Sequence, residues 1–228
     1  MLLENGEKWG LKIVYAEQTE PRGLADAFII GKDFCENNST ALILGDNIFY
    51  GSGIANLLRT ASQLKKGAVI FAYPVKNPRQ YGVVEFDRNG HPLSIEEKPN
   101  IPKSNFAIPG LYFYDEKVVA YAESLQPSER GEIEITDLNK KYLENDNLRV
   151  LPFGRGVAWL DAGTHESLLQ AANFVQTVET RQGLMISCPE EIAFYMGYIN
   201  EDQLHNLANK MNNNSYGEYL QRLIEPHD

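Results

Sequence analysis

The 228 residues are short of basic charge, of cysteine and of long apolar runs, and each shortage closes off a class of function. Twenty-one Lys and Arg against 31 Asp and Glu leave a formal net charge of -10, which repels nucleic-acid backbones and anionic membranes. No Lys/Arg run supplies a local basic patch, so neither nucleic acid nor a membrane is expected as a partner. Cys35 and Cys188 are the two cysteines, far apart and without C-x-x-C spacing, which argues against zinc or redox chemistry and for a reducing compartment. No apolar stretch approaches the roughly 18 residues that span a bilayer, and Met1 to Gly10 is charged rather than signal-like. A soluble, cytoplasmic protein is the expectation. His91, His165, His205 and His227 each stand alone, with no partner Ser or Cys and no metal spacing, so no catalytic histidine is expected. Internal repeats are absent, as is low complexity beyond a few asparagines.

What is present is a 43% hydrophobic chain with an α/β rhythm. Leu11–Ala16 reads as a strand, and Gly23–Glu36 as a helix with Leu24, Ala27, Phe28 and Phe34 on one face. Thr40–Leu44 is a continuous apolar run of the kind buried on both faces of a parallel sheet, ending in Gly45-Asp46-Asn47. A helix near Ile54–Leu64 and a strand at Ala68–Tyr73 complete a βαβαβ alternation, which predicts an open α/β sheet with helices on both faces. Ligands in such sheets sit beyond strand C-termini, where Asp46 stands. From Tyr81 the pattern becomes short strands with close turns (YGVVEFD, an Asn89-Gly90 turn, PLSIEEK, GLYFYD), an antiparallel insertion. A helix at Ile135–Glu144, strands at Arg149–Phe153 and Val157–Leu160, and a helix from about His165 to Arg181 follow. Pro189–Ile224 reads as wholly helical with a polar break at Asn212–Ser215. A boundary near Gly183 divides an α/β body, 1–183, from a helical subdomain, 184–228.

Five segments could carry chemistry. Asp46, after a buried strand, could coordinate Mg2+ bridging phosphates, because that ion takes hard oxygens and only one or two protein carboxylates; alternatively it caps the following loop or helix. Trp159-Leu160-Asp161-Ala162-Gly163-Thr164 offers a second strand-end carboxylate, which either shares that metal or orders a turn before the N-cap Thr164. In Glu96-Glu97-Lys98-Pro99, strand alternation puts Glu96 and Lys98 on one side and Glu97 on the other, unless the approach to Pro99 disturbs the period. Lysine there can hold a phosphate and a carboxylate can accept two sugar hydroxyls; an exposed, salt-bridged strand is the alternative. Gln18 offers a donor and an acceptor suited to a pyrimidine edge, and Gly23 allows close backbone approach, although a loop glutamine can equally be only solvated. Glu129, Glu132 and Glu134 lead into a helix whose dipole favours them in any case.

Read in order, YAEQTEPRGLADAF, LILGDNIFYG, YGVVEFD, IEEKP, GLYFYD, SERGEIEITD and WLDAGTHESLLQA resemble the sugar nucleotidylyltransferases, and most of all the bacterial glucose-1-phosphate thymidylyltransferases. The resemblance runs from about Leu11 to the C-terminus. It implies a Rossmann-like open mixed sheet of the nucleotide-diphospho-sugar transferase type, with an antiparallel insertion and a C-terminal helical subdomain. The implied reaction is Mg2+-dependent: glucose 1-phosphate and dTTP give dTDP-glucose and pyrophosphate, for dTDP-rhamnose-type deoxysugars and surface polysaccharide. By motif, Asp46 and Asp161 hold Mg2+ and Lys98 binds the sugar phosphate. Gln18 and the Gly23 backbone read thymine, and Asn47, Gly82, Glu97 and the Ile108 backbone line the glucose pocket, with Tyr112 and Glu132 nearby. Tyr50, Gly51 and Arg155 are similar to the family's allosteric site, and the family is usually a homotetramer.

Family members open with a strand and a glycine-rich G-x-G-T-R-L-x-P loop, then a lysine, and neither is among these residues. The expectation is therefore a sheet lacking its N-terminal strands and triphosphate grip, and an isolated chain that is inactive and poorly soluble. The alternatives are a nucleotidylyltransferase that uses UTP, a non-catalytic sugar-nucleotide-binding remnant, and a metal-dependent glycosyltransferase.

Overall fold

The computed structural model describes residues 3–35, 37–211 and 213–225. Glu36, Asn212 and His227, where the end of the first expected helix, the polar break and the fourth histidine fall, lie outside the described residues. Two compact units make up the chain, residues 16–171 and residues 1–15 with 172–228. The first begins with α1 (Asp26–Ile30) and α2 (Lys32–Cys35), then β1 (Thr40–Ile43), β2 (Asn47–Tyr50), α3 (Ile54–Ser62) and β3 (Ala68–Pro74). It continues with β4 (Gly82–Phe86), β5 (Pro92–Glu97), β6 (Phe106–Ala107), β7 (Leu111–Tyr114), α4 (Val118–Ser124), α5 (Ile135–Glu144), β8 (Leu148–Pro152) and β9 (Ala158–Asp161). The division between the units falls within α6 (His165–Gln182), and α7 (Pro189–Tyr195), α8 (Glu201–Asn209) and α9 (Ser215–Arg222) follow.

β3 organises the larger unit, because strand alternation sends its side chains into two separate cores. Ala68, Ile70 and Ala72 pack with Phe28, Tyr112, Tyr114, Val118 and Leu138, the side covered by α1, α4 and α5. Val69 and Phe71 pack with Ala61, Leu111 and Phe153, the side covered by α3. Helices therefore lie on both faces of the sheet, as expected of an α/β fold. Along the sheet the order is β1-β7-β3-β6-β4-β5, with β8 also paired to β3. The β3–β8 pairing is parallel and the others are antiparallel. β4 and β5 form the expected antiparallel hairpin, closed by a turn in which Gly90 adopts φ 84°.

Several local expectations need correction. Leu11–Ala16 joins no sheet; the Leu11 and Ile13 N–H groups donate instead to Gly6 O and Asn5 O. The expected helix at 23–36 is broken at Gly31 into α1 and α2, so Phe34 is exposed rather than on a buried face. β1 is not a doubly buried parallel strand: it pairs antiparallel with β7 at the end of the sheet path, and Ile43 is 59% exposed. β1 and β3 do run in the same direction, with β7 between them. Residues 1–15 group with the C-terminal helices, and the division falls between Ala171 and Ala172 rather than near Gly183. The physical reason is Trp9, which packs among Cys188, Ala193, Leu204 and Leu220 while its indole N–H donates to the buried Glu190 carboxylate at 3.0 Å.

Both cysteines are free and buried, and burial pushes their thiols above the ordinary value. Among the described residues no helix is long and apolar enough to cross a membrane.

Asp115 ties the core together. Its carboxylate accepts from the Gly67 N–H at 2.6 Å, the Tyr142 hydroxyl at 2.9 Å and the Lys117 N–H at 3.1 Å, linking the entry of β3, α5 and the turn before α4. Asp115→Ala leaves buried donors without an acceptor and is expected to cost about 2–4 kcal/mol. Urea unfolding should show a lower midpoint at unchanged slope. A loss under about 1 kcal/mol would refute this role.

Candidate active site

Two carboxylates distant in sequence are joined by a two-stranded ribbon. β2 pairs antiparallel with β9 in a register that sets Asn47 opposite Asp161, and the Ala162 N–H donates to Asp46 O at 2.8 Å. A Cβ built on Gly163 would lie 3.0 Å from Asp161 Oδ1 and 3.4 Å from Asp46 Oδ2, so both side chains close on one backbone point. Gly163 is the residue type that leaves this space open. Two converging carboxylates suit a hard divalent ion whose other ligands are water or substrate phosphate. Among the described residues no group of three or more His, Cys, Asp or Glu could hold a metal. Asp46 precedes a strand, so it caps no helix. Asp161 does order its turn, accepting from the Gly163 N–H at 2.9 Å, and Thr164 caps α6 by accepting from the Ser167 N–H at 3.1 Å.

Asn47 fixes this ribbon. Its Oδ1 accepts from the Trp159 indole at 2.7 Å and the Gly110 N–H at 2.9 Å, and its Nδ2 donates to Asp46 Oδ1 at 2.7 Å. Two tyrosines join the carboxylates to the rest of the site. The buried Tyr112 hydroxyl is pushed well above its ordinary range by burial and then by the Glu97 and Asp46 charges, which both face it. The Tyr81 hydroxyl is raised by burial and then by Asp161; its ring lies tilted against Trp159 with centroids 5.1 Å apart, and its carbonyl accepts the Lys98 N–H at 3.0 Å.

Glu97 ends β5, Lys98 follows it, and both line one pocket of about 490 Å³ with Ser128, Arg130, Glu134 and Lys140. Strict alternation would have separated them. Lys98 takes φ 40°, however, and this kink before Pro99 breaks the period. Lys98 Nζ lies 3.8 Å from Glu97 Oε1, while Glu97 Oε2 accepts from the Thr136 hydroxyl at 2.5 Å. Gly82 faces the same pair: a Cβ there would meet Thr136 Oγ1 at 3.2 Å and Glu97 Oε2 at 3.3 Å. The Ile108 N–H is spent on Gly82 O, which leaves its carbonyl. Arg130 donates to Glu134 Oε1 at 2.7 and 3.1 Å and sits 3.8 Å from Glu97 and 3.7 Å from Glu132. Glu96 points to Lys103 instead, at 2.6 Å.

Gln18 and Gly23 form a third cluster. Gln18 Nε2 donates to Asp26 Oδ2 at 3.0 Å and to Gly23 O at 3.1 Å. Gly23 has φ 101°, and a Cβ on it would meet Ile133 O at 2.5 Å and Ile133 N at 2.6 Å. The close approach that Gly23 permits is thus to the 128–136 loop. Ile133 also donates to Arg22 O and accepts from the Ala25 N–H, so that loop holds the Gln18 cluster at one point and Glu97 at another.

The family model for nucleotidyl transferases matches residues 1–178. The chain belongs to the nucleotidyl transferase family. It is 52% identical to the glucose-1-phosphate thymidylyltransferase of Xanthomonas campestris pv. campestris (strain B100), over 98% of this chain and 76% of that protein. Identity to the enzyme of the same name from Neisseria meningitidis serogroup A is 53%, over 98% and 78%. A crystal structure of a Bacillus anthracis protein solved as a glucose-1-phosphate thymidylyltransferase, with sucrose, superposes with TM-score 0.68 at 38% identity. That superposition covers 75% of this chain and 68% of the other.

On this nucleotidyl transferase frame, the site residues singled out in the sequence fall into three neighbouring groups within residues 16–171: Asp46, Asn47 and Asp161; Gly82, Glu97, Lys98, Ile108, Tyr112 and Glu132; and Gln18 with Gly23. Tyr50, Gly51 and Arg155 come together elsewhere, at the far end of the ribbon. Tyr50 pairs with Ala158, and Gly51, at φ 146°, presses on the backbone of Gly156 and Val157 beside Arg155. Sequence reasoning gave no individual role to Tyr81, Arg130, Thr136 or Trp159, because each acts at least in part through a residue far along the chain. Asn47→Ala should leave the Gly110 N–H and the Trp159 indole without an acceptor and free Asp46 to turn. The expected result is about 2–4 kcal/mol lost in urea unfolding, with a red-shifted Trp159 emission in a Trp9→Phe background. Unchanged emission and stability would contradict this account.

Proposed function

We propose that this chain performs the chemistry of a glucose-1-phosphate thymidylyltransferase. A phosphate oxygen of glucose 1-phosphate attacks the α-phosphorus of dTTP, the bond from that phosphorus to the bridging oxygen breaks, and dTDP-glucose and pyrophosphate form. The observation that carries this reading is the convergence of Asp46 and Asp161 on Gly163, in a ribbon whose Trp159 packs against Tyr81, the residue whose carbonyl accepts the Lys98 N–H. The donor set fits Mg2+, which Asp46 and Asp161 would hold and which, when bound, neutralises charge on phosphate oxygens.

The chain's own residues supply positioning and charge, which is what phosphoryl-type transfer needs. Lys98 meets the sugar phosphate. Glu97, its Oε2 held by Thr136, accepts glucose hydroxyls, and Gly82 leaves the sugar room. The Ile108 carbonyl, Asn47, Tyr112 and Glu132 complete that wall, and Arg130 offsets the charge of Glu97, Glu132 and Glu134 so that three carboxylates can stand together. Gln18 and the Gly23 backbone read thymine. In the same reading the enzyme is cytoplasmic and homo-oligomeric, feeds dTDP-rhamnose-type deoxysugar and polysaccharide synthesis, and is regulated through Tyr50, Gly51 and Arg155.

Pyrophosphate release tests the reading. Because the sequence G-x-G-T-R-L-x-P is not among the 228 residues, it is measured on them alone and on them preceded by a family strand and glycine-rich loop. Release that depends on Mg2+ and is at least about tenfold faster with dTTP than with UTP is expected. Lys98→Ala and Asp161→Asn should each lower kcat/KM by about 10²- to 10⁴-fold without altering cooperative unfolding. No release from either protein, both being well folded, would overturn it.

A further inference from the structure

Asp26 is nine-tenths or more buried, at 2% exposure, and it belongs to neither the paired carboxylates nor the Glu97 pocket. One of its oxygens, Oδ2, accepts from Gln18 Nε2 at 3.0 Å. The other, Oδ1, has no hydrogen-bond partner among the described residues, and the Arg22 guanidinium stands 3.6 Å away at ion-pair range. Gln18 itself is exposed, so a buried group grips the inner end of an accessible side chain.

An amide can be turned over, exchanging its oxygen and nitrogen, and the surrounding bonds decide which end points where. Here both inner partners, Asp26 Oδ2 and Gly23 O, are acceptors. The NH₂ end of Gln18 must therefore face inward, and both its protons are used there. Turned over, Gln18 Oε1 would face two oxygens. In the orientation adopted, Oε1 is the remaining polar atom, and no hydrogen bond to it is made among the described residues.

We propose that Asp26 is the positioning residue that locks Gln18 with its carbonyl oxygen outward, so that the site accepts a base bearing an imino N–H and refuses one without it. This rests on the reading of Gln18 as the base contact. Thymine and uracil carry a proton on N3, which Oε1 can accept; cytosine carries a lone pair there and would set acceptor against acceptor. A mismatch of that kind, covered by the bound base itself, is the type of contact by which polar sites discriminate most strongly. The lock does not distinguish thymine from uracil, whose N3 edges are alike.

Isothermal titration of the 228-residue chain with dTDP, dUDP and dCDP, and 15N relaxation of the Gln18 side-chain amide, test the proposal. Wild type should bind dTDP about 100-fold more tightly than dCDP. Asp26→Asn, which can offer either a donor or an acceptor, should bring that ratio to about tenfold or less, mainly by improving dCDP, while the dTDP to dUDP ratio holds. In the free protein the Gln18 amide should be ordered in wild type and mobile in Asp26→Asn. Gln18→Met, which leaves Asp26 in place, should lose the dTDP preference in the same way and guards against a misfolded Asp26 variant. A folded Asp26→Asn that keeps the wild-type ratio, or loses affinity equally for dTDP and dCDP, overturns the lock and leaves the base-reading role of Gln18 standing. An ordered Gln18 amide in a wild type that does not prefer dTDP over dCDP overturns that role, and the proposal with it.

Discussion

The Asn47 amide accepts from the Gly110 N–H and the Trp159 indole through one oxygen and donates to Asp46 through its nitrogen, and these three bonds fix where β2, β7 and β9 meet. Gly110 lies just before β7, the strand between β1 and β3, so the amide connects the paired carboxylates to the buried sheet. A two-stranded ribbon held by four register pairs is marginal in water, and β2–β9 gains further anchorage from Phe49 against Phe153 and from Trp159 against Tyr73, whose hydroxyl donates to Val157 O at 3.1 Å. The geometry at Asp46 and Asp161 is thus inherited from the core. Packing around Phe71 and Phe153, whose rings stack 4.9 Å apart, holds the sheet that holds Asn47.

A second constraint runs along the 128–136 loop. Gly131, at φ 78°, lets the chain turn back so that Ser128 N–H reaches Glu132 O at 2.8 Å. The loop then presses Ile133 against Gly23 and delivers Thr136 to Glu97 at the start of α5. The Gln18 cluster and Glu97 are therefore spaced by one short, well-bonded segment rather than by two independent loops. Arg130 closes it from outside through its two bonds to Glu134. Although Arg130 is partly exposed, two N–H groups converging on one oxygen of a mostly buried carboxylate hold its geometry better than a lone surface ion pair would.

How much of this was legible follows from the range of each signal. The apolar run at 68–73, the Asn89-Gly90 hairpin and the helix at 135–144 depend on local pattern, and the structure has them. Asp46 and Asp161 were recognisable as strand-end carboxylates, but their meeting depends on the β2–β9 register, which neither four-residue strand announces. The apolar run at Thr40–Leu44 looked doubly buried, yet it ended the sheet path with Ile43 in the open, because hydropathy does not say which strands a chain will find beside it. Leu11–Ala16 had strand composition and found no ladder among the described residues. Arg130, Thr136 and Tyr81 stand inside the strings SERGEIEITD and YGVVEFD, but the strings assign them no role. Thr136 and Tyr81 matter through Glu97 and Trp159, tens of residues away, and Arg130 joins the distant Glu97 to its own neighbour Glu134; single-sequence periodicity holds no such information.

Lys98 shows how the backbone settles what alternation alone could not. A non-glycine residue at φ 40° costs on the order of 1–2 kcal/mol, and the residue before proline is further restricted. The hairpin supplies the compensation: Gly82 pairs with Glu97, and the Lys98 N–H continues the ladder to Tyr81 O. With the strand so anchored, the strain falls on one residue and turns its side chain to the side Glu97 already occupies. A relaxed extended Lys98 would put its ammonium on the opposite face, away from the carboxylate that stands 3.8 Å from it. Since strain of this size persists only where the surroundings impose it, the kink that brings Lys98 to Glu97 depends on the β4–β5 register, and a one-residue slip of that hairpin would carry Glu97 away from Gly82 and Thr136 to the opposite face.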